Sequence, residues 1–181
     1  MLDLLAVSCS HFRGTVLPAL VETNDLASAT ALFNQVSELG IGRRKRSYDA
    51  LINANVAAQD IQAAVRLLRE MIKEKKFCPG RNTYLALMQG YSKVQDHVSV
   101  RSTFDEMLQS GIPPKHQAYS LLLSSCVRTE SREDVIKLLN QLVRGKILPN
   151  GGSLEEVRTR YPKDPEVKRP LNILKDRKSA V

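Results

Sequence analysis

Prolines at positions 79, 114 and 149 stand 35 and 35 residues apart, and no other feature restricts the fold of this chain as sharply. Tyr48, Tyr84 and Tyr119 follow at 36 and 35, and Val36, Met71, Met107 and Leu142 at 35, 36 and 35. Asp25, Asp60, Asp96 and Ser131 show the same three intervals. One extra residue between Met71 and Pro79 accounts for each 36. A period of this size marks an array of like supersecondary units, none of which can bury its apolar face alone.

Within each unit the pattern reads as two helices. In the third, Tyr84, Leu87, Met88 and Tyr91 recur at helical spacing over Thr83 to Val94. Asp96 is placed to cap a second helix, His97 to Gln109, with Val100, Phe104, Met107 and Leu108 on one face. Gly111 can take the left-handed conformation that ends it, and Pro113 and Pro114 block its continuation. The fourth unit repeats this as Ala118 to Thr129, Ser131, Glu133 to Arg144, Gly145 and Pro149; the second as Ser47 to Ala57, Asp60, Ile61 to Lys75 and Pro79. Upstream, Leu26 to Leu39 is the second helix of a worn first unit whose first helix is Val16 to Thr23.

The fold expected is therefore all-α, an α-solenoid of about 3.5–4 stacked helical hairpins. Residues 1–9 form an N-terminal helix or cap. Residues 10–150 form the repeats (10–44, 45–80, 81–115 and 116–150), and residues 151–181 a basic C-terminal extension. In that extension the period fails. Ser153 to Arg160 reads as a short helix capped by Ser153, the following segment to Pro170 as extended, and residues 170–181 as partly helical.

Lysine and arginine number 27 against 19 acids, a formal charge of +8, which favours a polyanionic partner. The cysteines Cys9, Cys78 and Cys126 are odd in number and far apart, with neither metal-ligand nor disulfide spacing; Cys9 and Cys126 read as small core residues. His11, His97 and His116 pair with no cysteine, and His97 reads as a solvated helix start. No apolar run reaches membrane-spanning length. Residues 1–13 lack the pattern of a secretory signal or transit peptide, as in a trimmed precursor or a numbering that begins inside a longer chain. Nothing forms a catalytic constellation, so the expectation is a protein without enzymatic activity, cofactor or small-molecule substrate.

Whole units, RSYDALINANVAAQDIQAAVRLLREM and NTYLALMQGYSKVQDHVSVRSTFDEM, with Glu-Met at 70–71 and 106–107 and Ser-Gly-Ile-Pro-Pro at 110–114, resemble the pentatricopeptide repeat. The tetratricopeptide repeat, with period 34 and its Trp and Leu-Gly positions, fits less well. The resemblance implies an organellar protein, mitochondrial or plastid, that binds single-stranded RNA, one base per repeat. The family's base-reading positions fall on Asp49 and Gly80, Leu85 and Lys115, and Ser120 and Asn150; the flanking position falls on Arg46, Asn82 and Gln117. Only Ser120 with Asn150 resembles a family code pair, one associated with adenine, and Leu85 cannot hydrogen-bond a base. Arg43, Arg44, Lys45 and Arg46 form a basic run suited to phosphates. The expected function is thus binding of single-stranded or ribosomal RNA mainly by backbone charge. The alternative is a scaffold subunit of an organellar ribosome or other large assembly, binding mainly protein.

Overall fold

The computed structural model describes residues 26–38, 45–73 and 77–179. Among them are nine helices and no strand: α1 (Leu26–Glu38), α2 (Lys45–Ala57), α3 (Ile61–Lys73), α4 (Arg81–Lys93), α5 (His97–Gln109), α6 (His116–Arg128), α7 (Arg132–Gly145), α8 (Gly151–Arg160) and α9 (Pro165–Ser179). No described helix is long and apolar enough to cross a membrane. The helix expected at residues 1–9, the one at Val16 to Thr23, Cys9, His11, Arg43 and Arg44 lie outside the described residues.

The first helices of successive repeats begin at 45, 81, 116 and 151, intervals of 36, 35 and 35. The structural period therefore runs one repeat beyond Pro149. The chain from 151 onward is a fifth hairpin, α8 and α9, and α9 begins at Pro165 where an extended segment was expected. Sequence reasoning missed it because Leu154 replaces the repeated tyrosine, yet Leu154 and Val157 are as well buried as their counterparts. A missing signature residue does not remove an apolar face.

The chain divides into two compact halves, residues 1–90 and 91–181. In the N-terminal half α2 packs on α1 and α3. Its core gathers Ala29, Phe33, Tyr48, Leu51 and Met71, with Leu67 and Phe77 against it. Phe33 meets Tyr48 edge-on, ring centroids 4.9 Å apart. Gly90 is there because α4 approaches closely: a Cβ would lie 2.5 Å from Ile61 Cδ1 and 3.1 Å from Val56 Cγ1. In the C-terminal half the first helices α6 and α8 pack together, as do the second helices α7 and α9, and α6 packs on α5 and α7. Two layers result. Phe104 meets Tyr119 edge-on at 5.3 Å, and Met107 and Leu142 are wholly buried. Leu108, expected on the same apolar face, is instead 45% exposed.

Helix ends explain the short connections. Gln59, Gln95, Glu130, Gly111 and Lys146 all have positive φ, between 53° and 71°. Each ends a helix in the same way: in α4, for example, the Gln95 N–H bonds to Ser92 O at 3.3 Å and the Asp96 N–H to Tyr91 O at 2.9 Å. Two otherwise orphaned carbonyls are satisfied within one turn. After Gln59, Gln95 and Glu130 the following residue is the N-cap of the next helix, where Asp60 accepts from the Ala63 N–H and Asp96 from the Ser99 N–H; after Gly111 and Lys146 the next helix begins five residues on. In α7 the left-handed residue is Lys146, 35 residues after Gly111, and not the glycine beside it. α8 is capped by Asn150 and begins at Gly151, two residues before the start read from Ser153.

Candidate nucleic-acid interface

The sequence candidates sit at the starts of first helices and at the ends of repeats, and the structure brings together two of the base-reading pairs, Asp49 with Gly80 and Ser120 with Asn150. In the N-terminal half the Thr83 hydroxyl donates to Asp49 Oδ1 at 2.7 Å and accepts from the Gly80 N–H at 3.2 Å. Asp49 in α2 and Gly80 before α4 are thus joined through a buried threonine that sequence reasoning did not single out. Lys45 donates to the Cys78 carbonyl at 2.7 Å, closing the same junction. Arg46 and Asn82 are exposed, whereas Leu85 is 7% exposed and lies in the core.

In the C-terminal half the Ser120 hydroxyl donates to His116 O at 2.8 Å and accepts from the Asn150 N–H at 2.8 Å. Ser120 is 4% exposed. The Asn150 Oδ1 accepts from the Ser153 N–H at 2.9 Å and caps α8. The two members of the code pair are therefore adjacent, with the serine hydroxyl engaged inside the protein. Lys115 and Gln117 are exposed; Lys115 precedes α6 in extended backbone and its side chain makes no capping bond. The signal that could have found the threonine is the three-residue capping interval from Gly80 to Thr83, the same as that from Asn150 to Ser153.

A second set of contacts links repeats through their second helices. Arg101 of α5 holds Asp134 of α7 at 2.5 and 3.2 Å in a two-pronged contact, and Ser131 donates to the same carboxylate at 2.8 Å. Arg132 of α7 grips Asp164 at 2.5 Å and Glu166 at 2.6 Å at the start of α9. Arg160 pairs with Glu130, and Arg177 of α9 donates to Val143 O at 2.8 Å. The guanidinium of Arg101, with the Ser131 hydroxyl, holds the Asp134 carboxyl below its ordinary range; Arg132 does the same to Asp164. The Ser99 hydroxyl and N–H lower that of Asp96. These acids are committed to the fold, and several arginines with them.

His97 departs from its expected role: it is half-buried, its Nδ1 has no hydrogen-bond partner among the described residues, and its carbonyl accepts from Ser125 Oγ at 3.1 Å. Cys126 is buried, and burial pushes its thiol up to about 11. Among the described residues no group of three His, Cys, Asp or Glu is placed to hold a metal ion. The arrangement offers exposed cations at helix starts beside carboxylate and hydroxyl groups already hydrogen-bonded.

This geometry has relatives. A mitochondrial pentatricopeptide repeat-containing protein of Arabidopsis thaliana is 24% identical over 167 residues, 92% of this chain and 27% of its own length. A chloroplastic one from the same plant is 24% identical over 111 residues, 61% of this chain and 14% of its own length. The chain thus spans about a quarter or less of these relatives. Among solved structures, the repeat domain of Arabidopsis thaliana protein-only RNase P 1, in complex with tRNA, superposes with a TM-score of 0.75 at 16% identity, covering 92% of this chain and 89% of that one. Maize PPR10 superposes at 0.70 with 16% identity, covering 90% and 23%; in complex with an 18-nt psaJ RNA element it does so at 0.61 with 17% identity, covering 82% and 22%. The family described as the pentacotripeptide-repeat region of PRORP matches residues 9–157. The fold is that of its helical solenoids, and the chain belongs to the pentatricopeptide repeat family.

Proposed function

We propose that this chain is a non-enzymatic RNA-binding repeat protein of organellar gene expression, holding single-stranded or ribosomal RNA mainly through its phosphates. One observation carries the reading. Arg46 and Lys115, at the starts of first helices, are exposed cations, while Leu85 is buried and the Asp49 and Ser120 side chains are hydrogen-bonded within the protein. Charge is available where base recognition is not. The RNA-bound structures of maize PPR10 and of the RNase P 1 repeat domain support the choice of partner, and the mitochondrial and chloroplastic relatives support an organellar setting. The likeness to RNase P 1 is to its repeat domain, which is compatible with a role in binding alone.

The test is binding of the purified protein to a labelled 20-nucleotide RNA across salt. Affinity falls linearly on a log–log plot, by about 0.7 in slope for each phosphate contact, and depends little on base composition. Absence of binding at low salt overturns the reading. The engaged Asp49 and Ser120 side chains also suit a scaffold subunit of a large organellar assembly. Co-sedimentation with a large particle after nuclease treatment, in a protein that binds no free RNA, is the outcome that favours it.

A further inference from the structure

A cavity of about 610 Å³ in the C-terminal half has no base-reading position in its lining. Its walls are Lys137, Asn140, Gln141 and Arg144 of α7, with Tyr119, Gly145 and Ile147. The four α7 side chains fall three, one and three residues apart, so they share one face over two turns, and the two cations stand about 10 Å apart along the axis. All four are exposed. Lys137 lies 3.9 Å from Glu133 in a pair whose members are 73% and 83% exposed, a contact too wet to hold the ammonium. Exposed Lys146, in its left-handed turn, follows Gly145 at the rim.

The lining decides what fits. It has no carboxylate, and Ile147 is its sole aliphatic side chain. A protein-docking site centres on buried apolar anchors within a polar rim. A nucleic-acid site is polar and positive throughout. Lysine and arginine suit phosphates, and carboxamides present the donor–acceptor pair that meets base edges and ribose hydroxyls.

We propose that this cavity on the second helix of the fourth repeat is an additional contact site for the RNA strand, Lys137 and Arg144 holding phosphates while Asn140 and Gln141 meet the nucleoside between them. The site rests on the RNA-binding reading above, but it uses none of the same residues.

The test measures binding of labelled 20-nucleotide oligo(U) and oligo(A) by wild type, K137A/R144A, N140A/Q141A and the control K163A/K168A, whose exposed lysines lie outside the cavity. All the replaced side chains are exposed, and circular dichroism checks that each variant keeps its helices. K137A/R144A is expected to weaken binding at least fivefold and to lower the salt slope by about 1.4, two phosphate contacts. N140A/Q141A is expected to weaken it about threefold with the slope unchanged, as for an uncharged contact, and K163A/K168A less than twofold. Equal losses in the two charge variants, or none in either, overturn the site while leaving the RNA-binding reading intact. A wild type that binds no RNA overturns both. Binding of a 20-residue oligoglutamate as tight as that of RNA, and lost in K137A/R144A, reassigns the cavity to an acidic protein partner and overturns the proposal.

Discussion

The Ser120 hydroxyl accepts the backbone N–H of Asn150 at 2.8 Å, and so ties the first helix of the fourth repeat to the cap of the fifth. Ser120→Ala removes that acceptor and leaves a partly buried N–H unpaired, at a cost of about 1 kcal/mol. The expected result is a lower midpoint in urea with no change in the ratio of oligo(A) to oligo(U) affinity. A changed ratio at unchanged stability would mean that the hydroxyl reads a base.

The left-handed turns store a cost that glycine relieves. A non-glycine residue there costs about 1–3 kcal/mol, partly offset by glycine's greater freedom in the unfolded chain. Gln95→Gly is expected to stabilise by about 0.5–1 kcal/mol, and Glu130→Gly by less, because it also removes the exposed pair with Arg160. Gly111→Ala is expected to destabilise by about 1 kcal/mol, although nothing lies within 4 Å of its Cβ position. Thermal unfolding of the three variants checks the sign.

At Gly90 the opposite holds. Alanine is the better helix former by about 1 kcal/mol, yet a Cβ would stand 2.5 Å from the buried Ile61 Cδ1. Overpacking dominates, and Gly90→Ala is expected to lose about 1–2 kcal/mol net. Adding Ile61→Val to Gly90→Ala should recover part of the loss, which a double-mutant cycle reads as coupling.

Stability should fall in acid for a named reason. The Asp96 and Asp134 carboxyls are held below their ordinary range, by Ser99 and by Arg101 respectively. A lowered native value means that the stabilisation is present above the unfolded carboxylate range, near about 4, and disappears as pH drops through the native values. Asp96→Ala should therefore cost about 1 kcal/mol at pH 7, the usual worth of a helix cap, and less at pH 2. Urea titrations at the two pH values provide the check. The Arg101–Asp134 pair, half exposed on the arginine side, should contribute about 0.5 kcal/mol at pH 7 and less at 1 M salt.

The thiols should separate by reactivity. Cys126 is buried with its thiol raised to about 11, and Cys78 is exposed. In a Cys9→Ser background at pH 8, a disulfide reagent should label one thiol within minutes. The second should follow on unfolding, since burial both hides the Cys126 thiol and keeps it protonated.

Period and hairpin were legible because they rest on local chemistry. Proline stops, capping Asp60 and Asp96, and buried Tyr48, Tyr84 and Met107 all leave marks at fixed spacing. The fifth hairpin was not, because Leu154 fills the tyrosine's place with a common residue and the turn after α8 lacks a left-handed residue. Pairs such as Arg101–Asp134 and Arg132–Asp164 were invisible: their partners stand 33 and 32 residues apart, and no local rule links such charges. At the candidate site, the positions followed from the register. Their commitments did not, since the bonds of Asp49 to Thr83 and of Ser120 to Asn150 exist only once repeats are stacked.

The turns at Gln59, Gln95 and Glu130 require a sign of φ and leave the choice of polar side chain open. Mutation at these three places can exchange amide for carboxylate, as the chain itself shows, without altering how one helix hands over to the next. Valine or isoleucine, whose branched Cβ resists this conformation, is barred. At Gln59 and Gln95 evolution can therefore rewrite surface charge without disturbing the turn, while at Glu130 the same change also gives up the pair with Arg160.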